Sequence, residues 1–142
     1  MRIGLFVPCY VDAVFPEVGV ATYKLLKYLG VNVDYPMQQT CCGQPMANAG
    51  FEQKAVPLAA HFEDIFQDYD YVVAPSASCA AFVKLNYPRL LEGKHVCQTS
   101  DKMMDVCEFL HDGSEQYWQW RDRFRSDAHC FCVSETGGKK LG

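Results

Sequence analysis

Along residues 1–112, short blocks rich in β-branched and aromatic residues alternate with longer stretches whose apolar residues recur at helical spacing. Arg2 to Pro8 is the first short block, a predicted buried strand, and Cys9 follows where the strand gives way to a loop. Pro16 and Glu17 open a predicted helix: proline suits a first turn, and an acid there complements the helix dipole. Val18, Ala21, Leu25, Leu26 and Leu29 make its apolar stripe, and Gly30 is its stop. Val31 to Tyr35 predicts a second strand, ended by Pro36. Thr40-Cys41-Cys42-Gly43-Gln44-Pro45 reads as a loop with no room for regular structure. A helix is predicted from Phe51 to Phe66, with Pro57 either kinking it or lying in its first turn. Asp70 to Ala74 predicts a third strand. It runs into Pro75-Ser76-Ala77-Ser78-Cys79, where Ser76 or Ser78 can cap the next helix. Asp101 to Leu110 is the last predicted helix, capped by Ser100 or Asp101.

The order βαβαβα predicts an α/β fold, a small parallel sheet flanked by helices. In open sheets of this kind, ligands bind outside the carboxyl ends of the strands. Cys9 and Cys79 follow strands closely at that end, and Cys41 and Cys42 follow the second strand by a few residues. All four are therefore expected at one edge of the sheet.

The chain's 142 residues suffice for one domain with a core of its own, and 49% hydrophobic with 21% charged residues is ordinary for a globular protein. The net charge of −4 and the lack of a Lys/Arg run argue against nucleic acid or an acidic membrane surface as partner. The apolar run at the N-terminus is short, is broken by Pro8 and is followed by no small-residue cleavage site. No segment approaches the roughly 18 apolar residues of a membrane helix. The expected location is cytoplasmic. In that reducing setting eight cysteines point to metal binding or redox chemistry rather than to disulfides.

Adjacent Cys41 and Cys42 do not easily share one small disulfide, but both can reach a multi-metal cluster. Gly43 gives the turn freedom for close backbone approach. Three plainer readings stand beside that one. The cysteines could be buried free thiols acting as small hydrophobes. Four thiolates also make a structural zinc site, although the paired Cys-x-x-Cys knuckles of common zinc folds are absent. A thiol–disulfide enzyme using Cys41 and Cys42 is the weakest, because a vicinal disulfide needs a strained ring. Cys97 and Cys107 read as structural thiols, and the Cys130-Phe131-Cys132 pair as incidental or a second metal site. No two of His61, His95, His111 and His129 stand at metal spacing, and His61 reads as a packed residue between Leu58, Phe62 and Ile65. Glu63 and Asp64 read as a solvated polar face. Met37 and Met46 flank the double cysteine, to shield a cluster or to fill the core. No Gly-x-Gly-x-x-Gly, Walker A or nucleophile elbow occurs.

The spacing Cys9 … Cys41-Cys42-Gly43 … Cys79 resembles the cysteine-rich CCG domain of iron–sulfur subunits in heterodisulfide reductase, glycolate oxidase and lactate utilization. The stretches Gly4 to Asp12, Gln39 to Gly50 and Ala74 to Ala80 are most similar to the lactate utilization branch, the A proteins. The resemblance covers residues 1 to about 112. It implies that Cys9, Cys41, Cys42 and Cys79 ligate a [4Fe–4S] cluster, with zinc the alternative metal. It implies an electron-transfer subunit of a complex oxidising L-lactate or a related 2-hydroxy acid. The partners would be other subunits of that complex, with a homo-oligomer as a further arrangement, and the chain would be a component rather than an independent catalyst. Where the heterodisulfide reductase branch has Cys-x-x-Cys, this chain has Ser76-Ala77-Ser78-Cys79, which suits a four-cysteine cubane better than a five-cysteine cluster. Full members carry two such modules. Residues 113–142 break the α/β pattern with the aromatic and basic run Tyr117 to Arg125, and Phe131 to Glu135 resembles a remnant of a second module.

Overall fold

The computed structural model describes residues 1–93 and 97–112. Four parallel strands form one sheet in the order β2-β1-β3-β4: β1 is Arg2–Leu5, β2 Asn32–Asp34, β3 Tyr71–Ala74 and β4 Met103–Asp105. The α/β architecture expected from the alternating pattern is present, with one strand more than the pattern gave. Asp101 to Leu110 was the site of a predicted helix. Its first half instead pairs as β4 with β3, Val72 opposite Met103 and Ala74 opposite Asp105. The helix α6 begins only at Val106 and runs to Asp112, with the Asp105 carboxylate accepting from the backbone N–H groups of Cys107 and Glu108. Edge pairing against an existing strand outweighs the helical preference of three residues.

Strand alternation sorts the core onto two faces. Ile3, Leu5, Val7, Val33 and Val73 point to one side, where they meet Val11, Leu26, Leu29 and Phe109. Phe6, Val72, Ala74 and Met103 point to the other, against Ala59, Phe62, Phe66, Val83 and Tyr87. The first face is covered by α1 (Cys9–Val14), α2 (Pro16–Tyr28) and α6, the second by α4 (Glu52–Phe66) and α5 (Ala77–Leu90). Gly4 is required on the second face: a Cβ there would lie 2.8 Å from Cδ1 of the buried Phe66.

The buried stripe of α2 differs from the predicted one. Gly19, Thr22, Leu26 and Leu29 are buried, whereas Val18 is exposed. Small Gly19 lets the helix sit against Val7, and Thr22 satisfies its hydroxyl by donating to the Val18 carbonyl at 2.8 Å. A search for large apolar residues selects the neighbouring face. Two more elements were not foreseen. Cys9 opens the short helix α1 rather than lying in a loop, and Gln44–Asn48 forms a helical turn, α3, inside the supposed loop, with Pro45 in its first turn.

The connections set the position of the site. From β1 the chain passes through α1 and α2 on one face, and from the adjacent β3 it passes through α5 on the other. The carboxyl ends of β1 and β3 therefore flank a topological switch point, the crevice where open α/β sheets place ligands.

Candidate functional site

Three segments meet beyond the carboxyl ends of the strands. Pro8 precedes α1, so Cys9 is its first residue and is exposed. Cys79 is the third residue of α5, whose cap Ser76 accepts from the Cys79 N–H at 3.5 Å, and the thiol is buried. Cys41 and Cys42 lie in the β2–α3 connection, half-buried and buried respectively.

The side chain of Gln39 holds that connection in place. Its amide donates to the carbonyls of Leu5 and Pro36 at 3.1 and 2.9 Å, and its oxygen accepts from the Val7 N–H at 2.8 Å. The loop is thereby stitched to the end of β1, two residues before Cys9. Gly43 then turns the chain with φ +91° against Ala55, where a Cβ would lie 3.1 Å from the alanine methyl. From the core side, the buried Tyr87 hydroxyl donates to the Cys42 carbonyl at 2.8 Å.

The thiols meet as two pairs. Sγ of Cys9 lies 3.5 Å from Sγ of Cys41, and the Gly43 N–H points at Cys41 Sγ from 3.4 Å. The Cys42 thiol neighbours that of Cys79, whose Sγ lies 3.6 Å from the Gln44 side-chain oxygen. The hydrogen bond from Cys42 draws Cys79 down to about 6, helped by the Ser76 and Ser78 hydroxyls and opposed by burial. The same bond, with burial, pushes Cys42 far up. Burial and the contact with Cys41 push Cys9 up. Tyr10 extends the network by donating to Ser76 Oγ at 3.1 Å, which lies 3.3 Å from Ser78 Oγ.

Among the described residues no group of three or more His, Cys, Asp or Glu side chains is arranged to hold a metal ion as the chain stands. A ligating thiol gives up its proton, so loading would replace the sulfur–sulfur hydrogen bonds with metal bonds. Thiols in two neighbouring pairs, with N–H and hydroxyl groups beside the sulfurs, are donors of the kind that a thiophilic metal or cluster takes.

Other cysteines are placed differently. Cys97 is half-buried and packs against the α4–α5 core. Cys107 lies on α6 and is exposed, not a packed thiol. Cys130, Cys132 and the rest of 113–142 lie outside the described residues, as do His95 and His129.

Further residues depart from their predicted roles. His61 is exposed, its Nε2 2.9 Å from the Gln38 carbonyl, because its side of α4 faces the β2–α3 connection and not the core. Glu63 is buried, accepting from the N–H groups of Gln98 and Thr99 and from the Thr99 hydroxyl at 2.6 Å. Met37 is 80% exposed and Met46 also lies at the surface, so neither fills the core. Met37 instead borders a cavity of about 570 Å³ beside β2, lined also by Arg2, Asp34, His61 and Tyr69. Gln39, Tyr87 and Tyr10 were missed altogether. Only their contacts, across 32 to 66 residues of chain, mark them out.

The CCG cysteine-rich domain matches residues 3–84, which include all four converging cysteines. The chain belongs to the CCG cysteine-rich domain family. Within it, this CCG chain is similar to lactate utilization protein A of Geobacillus kaustophilus strain HTA426, at 47% identity over 117 residues, 79% of this chain and 48% of that protein. It is similar also to lactate utilization protein A of Exiguobacterium sp. strain ATCC BAA-1283 / AT1b, 42% identical over 118 residues, 78% of this chain and 48% of that one. The protein of the same name from Geobacillus sp. strain WCH70 is 38% identical over 117 residues, 79% and 49% of the two chains. The CCG chain thus spans about half the length of the curated relatives it matches. No solved structure matches it significantly. Among its described residues no helix is long and apolar enough to cross a membrane.

Proposed function

We propose that this CCG domain carries a [4Fe–4S] cluster on Cys9, Cys41, Cys42 and Cys79 and serves as an electron-transfer part of a lactate-oxidising system. The observation that supports this most is the meeting of four thiols from three separate segments at the switch point of the sheet. Such a group, when bound, takes up and releases single electrons.

The chain's own residues suit that role. The Gly43 N–H directed at Cys41 Sγ is the kind of donor that tunes a ligated sulfur. Ser76 and Ser78 supply hydroxyls beside Cys79. Cys42 and Cys79 sit in the core side of the pocket, away from water, while exposed Cys9 leaves the other side open to an electron partner. The lactate assignment rests on the names of the relatives, and the partners would be the other subunits of the same system. By this reading the chain alone oxidises no lactate, because a single-electron carrier positions no substrate hydride.

Anaerobic purification with metal and acid-labile sulfide analysis tests the reading. Iron and sulfide in comparable amounts, with a visible charge-transfer absorption bleached by reductant, are expected. Zinc without sulfide in a colourless protein would assign a structural zinc site to the same thiols. Lactate-dependent dye reduction by the purified chain, with no added subunit, would overturn its role as a carrier.

A further inference from the structure

The four thiols do not meet as an even ring. Cys9 faces Cys41 at 3.5 Å between sulfurs, and the Cys42 thiol neighbours that of Cys79. The pairing separates the two residues that are adjacent in sequence. We propose that the metal-free protein is a reversible two-disulfide switch, forming Cys9–Cys41 and Cys42–Cys79 when oxidised. This goes beyond the proposed function and holds for whichever metal the thiols bind.

A disulfide needs its sulfurs about 2.05 Å apart with the Cβ atoms near 3.8 Å. Thiols already in contact approach that by side-chain rotation. The competing Cys41–Cys42 bond would close a strained vicinal ring. It would also have to draw together two thiols already engaged with different partners, and turn a loop pinned by Gln39 and by Tyr87. Exposure sets an order. Cys9 is open to solvent and Cys41 half-open, whereas Cys42 and Cys79 are 2% and 4% exposed. The outer pair reacts first.

With a peroxide as oxidant the chemistry balances. The Cys9 thiolate attacks one peroxide oxygen, the O–O bond breaks, and Cys9 becomes a sulfenic acid as hydroxide leaves. The Cys41 thiolate then attacks the Cys9 sulfur, the S–O bond breaks, and a second hydroxide leaves. The two thiol protons convert both hydroxides to water. One peroxide is reduced by two electrons and one disulfide forms. The inner pair consumes a second peroxide by the same steps, and a dithiol reductant reverses both. A thiol held in a disulfide cannot ligate a metal, so oxidation and metal loading exclude each other.

The test uses the full chain, stripped of metal by a chelator under reductant and desalted anaerobically. Hydrogen peroxide is added in steps, free thiols are trapped with N-ethylmaleimide, and the unreduced digest is mapped by mass spectrometry. The first equivalent should link the Cys9 peptide to the Cys41/Cys42 peptide, and the second should add the Cys79 peptide. Dithiothreitol should restore every thiol. Cys41 and Cys42 share a tryptic peptide, so Cys41→Ala and Cys42→Ala assign the bonds. Cys41→Ala should abolish the link to Cys9 and keep that to Cys79, and Cys42→Ala should do the reverse. If either variant fails to fold, fragmentation of the wild-type linked peptide makes the same assignment. A Cys41–Cys42 bond would overturn the proposal. So would a bond from either pair to Cys97, Cys107, Cys130 or Cys132, or Cys9 sulfinic acid beside an unlinked Cys41.

Discussion

Tyr87, in the last turn of α5, donates its phenolic hydrogen to the carbonyl oxygen of Cys42, 45 residues earlier in the chain, at 2.8 Å. Both groups are buried, so the bond replaces water for the loop that presents Cys42. Its ring also packs edge-on against Phe62 and Phe82, which fixes the direction of the hydroxyl. Tyr87→Phe keeps the ring and strands the carbonyl. A loss of about 1–3 kcal/mol is expected, read as a lower urea midpoint at unchanged slope. A loss under a few tenths of a kcal/mol would mean that another donor reaches the Cys42 carbonyl.

Gly43 holds φ +91°, and a Cβ would press on Ala55 at 3.1 Å. Left-handed backbone costs a non-glycine residue about 1–2 kcal/mol before any clash. Gly43→Ala should therefore destabilise the chain by at least that amount and reduce the iron retained per chain after anaerobic reconstitution. Gly50→Ala, also at positive φ but with open space around it, should cost only the backbone strain. Equal losses in urea titrations of both variants would show that Ala55 yields freely.

Replacing Cys42 by serine should abolish metal binding, whereas Cys97→Ser should leave it intact. Cys42 is buried beside the Cys79 thiol, and serine is a harder, much less acidic ligand. Cys97 touches the core only as a half-buried packing residue. Iron per chain and visible absorbance after anaerobic reconstitution decide it. Wild-type iron in Cys42→Ser, or none in Cys97→Ser, would show the ligands to be assigned wrongly.

The metal-free chain should gain stability as pH rises from about 6 towards 9. Cys79 titrates below its ordinary 9.0, down to about 6, because Cys42 donates to its thiolate. A group lowered on folding stabilises the fold fully above its unfolded value, and that contribution is lost as pH falls through the folded value. Cys42, pushed up by the same bond, works in the opposite sense only above about 9. Urea midpoints across this window, wild type against Cys79→Ala, isolate the effect from other titrating groups. Identical slopes for the two proteins would mean that the Cys42–Cys79 pair shares no proton.

The sequence by itself determined the alternation of strands and helices and the position of Cys9 and Cys79 just after strands. It also marked Cys41-Cys42-Gly43 as a turn built for close backbone approach. Those features are local: period-2 and 3.6-residue patterns, caps and a flexible glycine are written in neighbouring residues. Tertiary structure decided the rest. Met103 to Asp105 became a strand because β3 offered an unpaired edge. Gly19 and Thr22, rather than Val18, became the buried face of α2 because only small residues let the helix approach Val7. Glu63 left the solvated face to gather three donors from Gln98 and Thr99, a choice open only once that loop folded over α4. The division of four thiols into two pairs likewise depends on Gln39 and Tyr87. Gln39 ties the cysteine loop to Val7, 32 residues earlier, and Tyr87 reaches it from 45 residues later, through hydrogen bonds that no local pattern encodes.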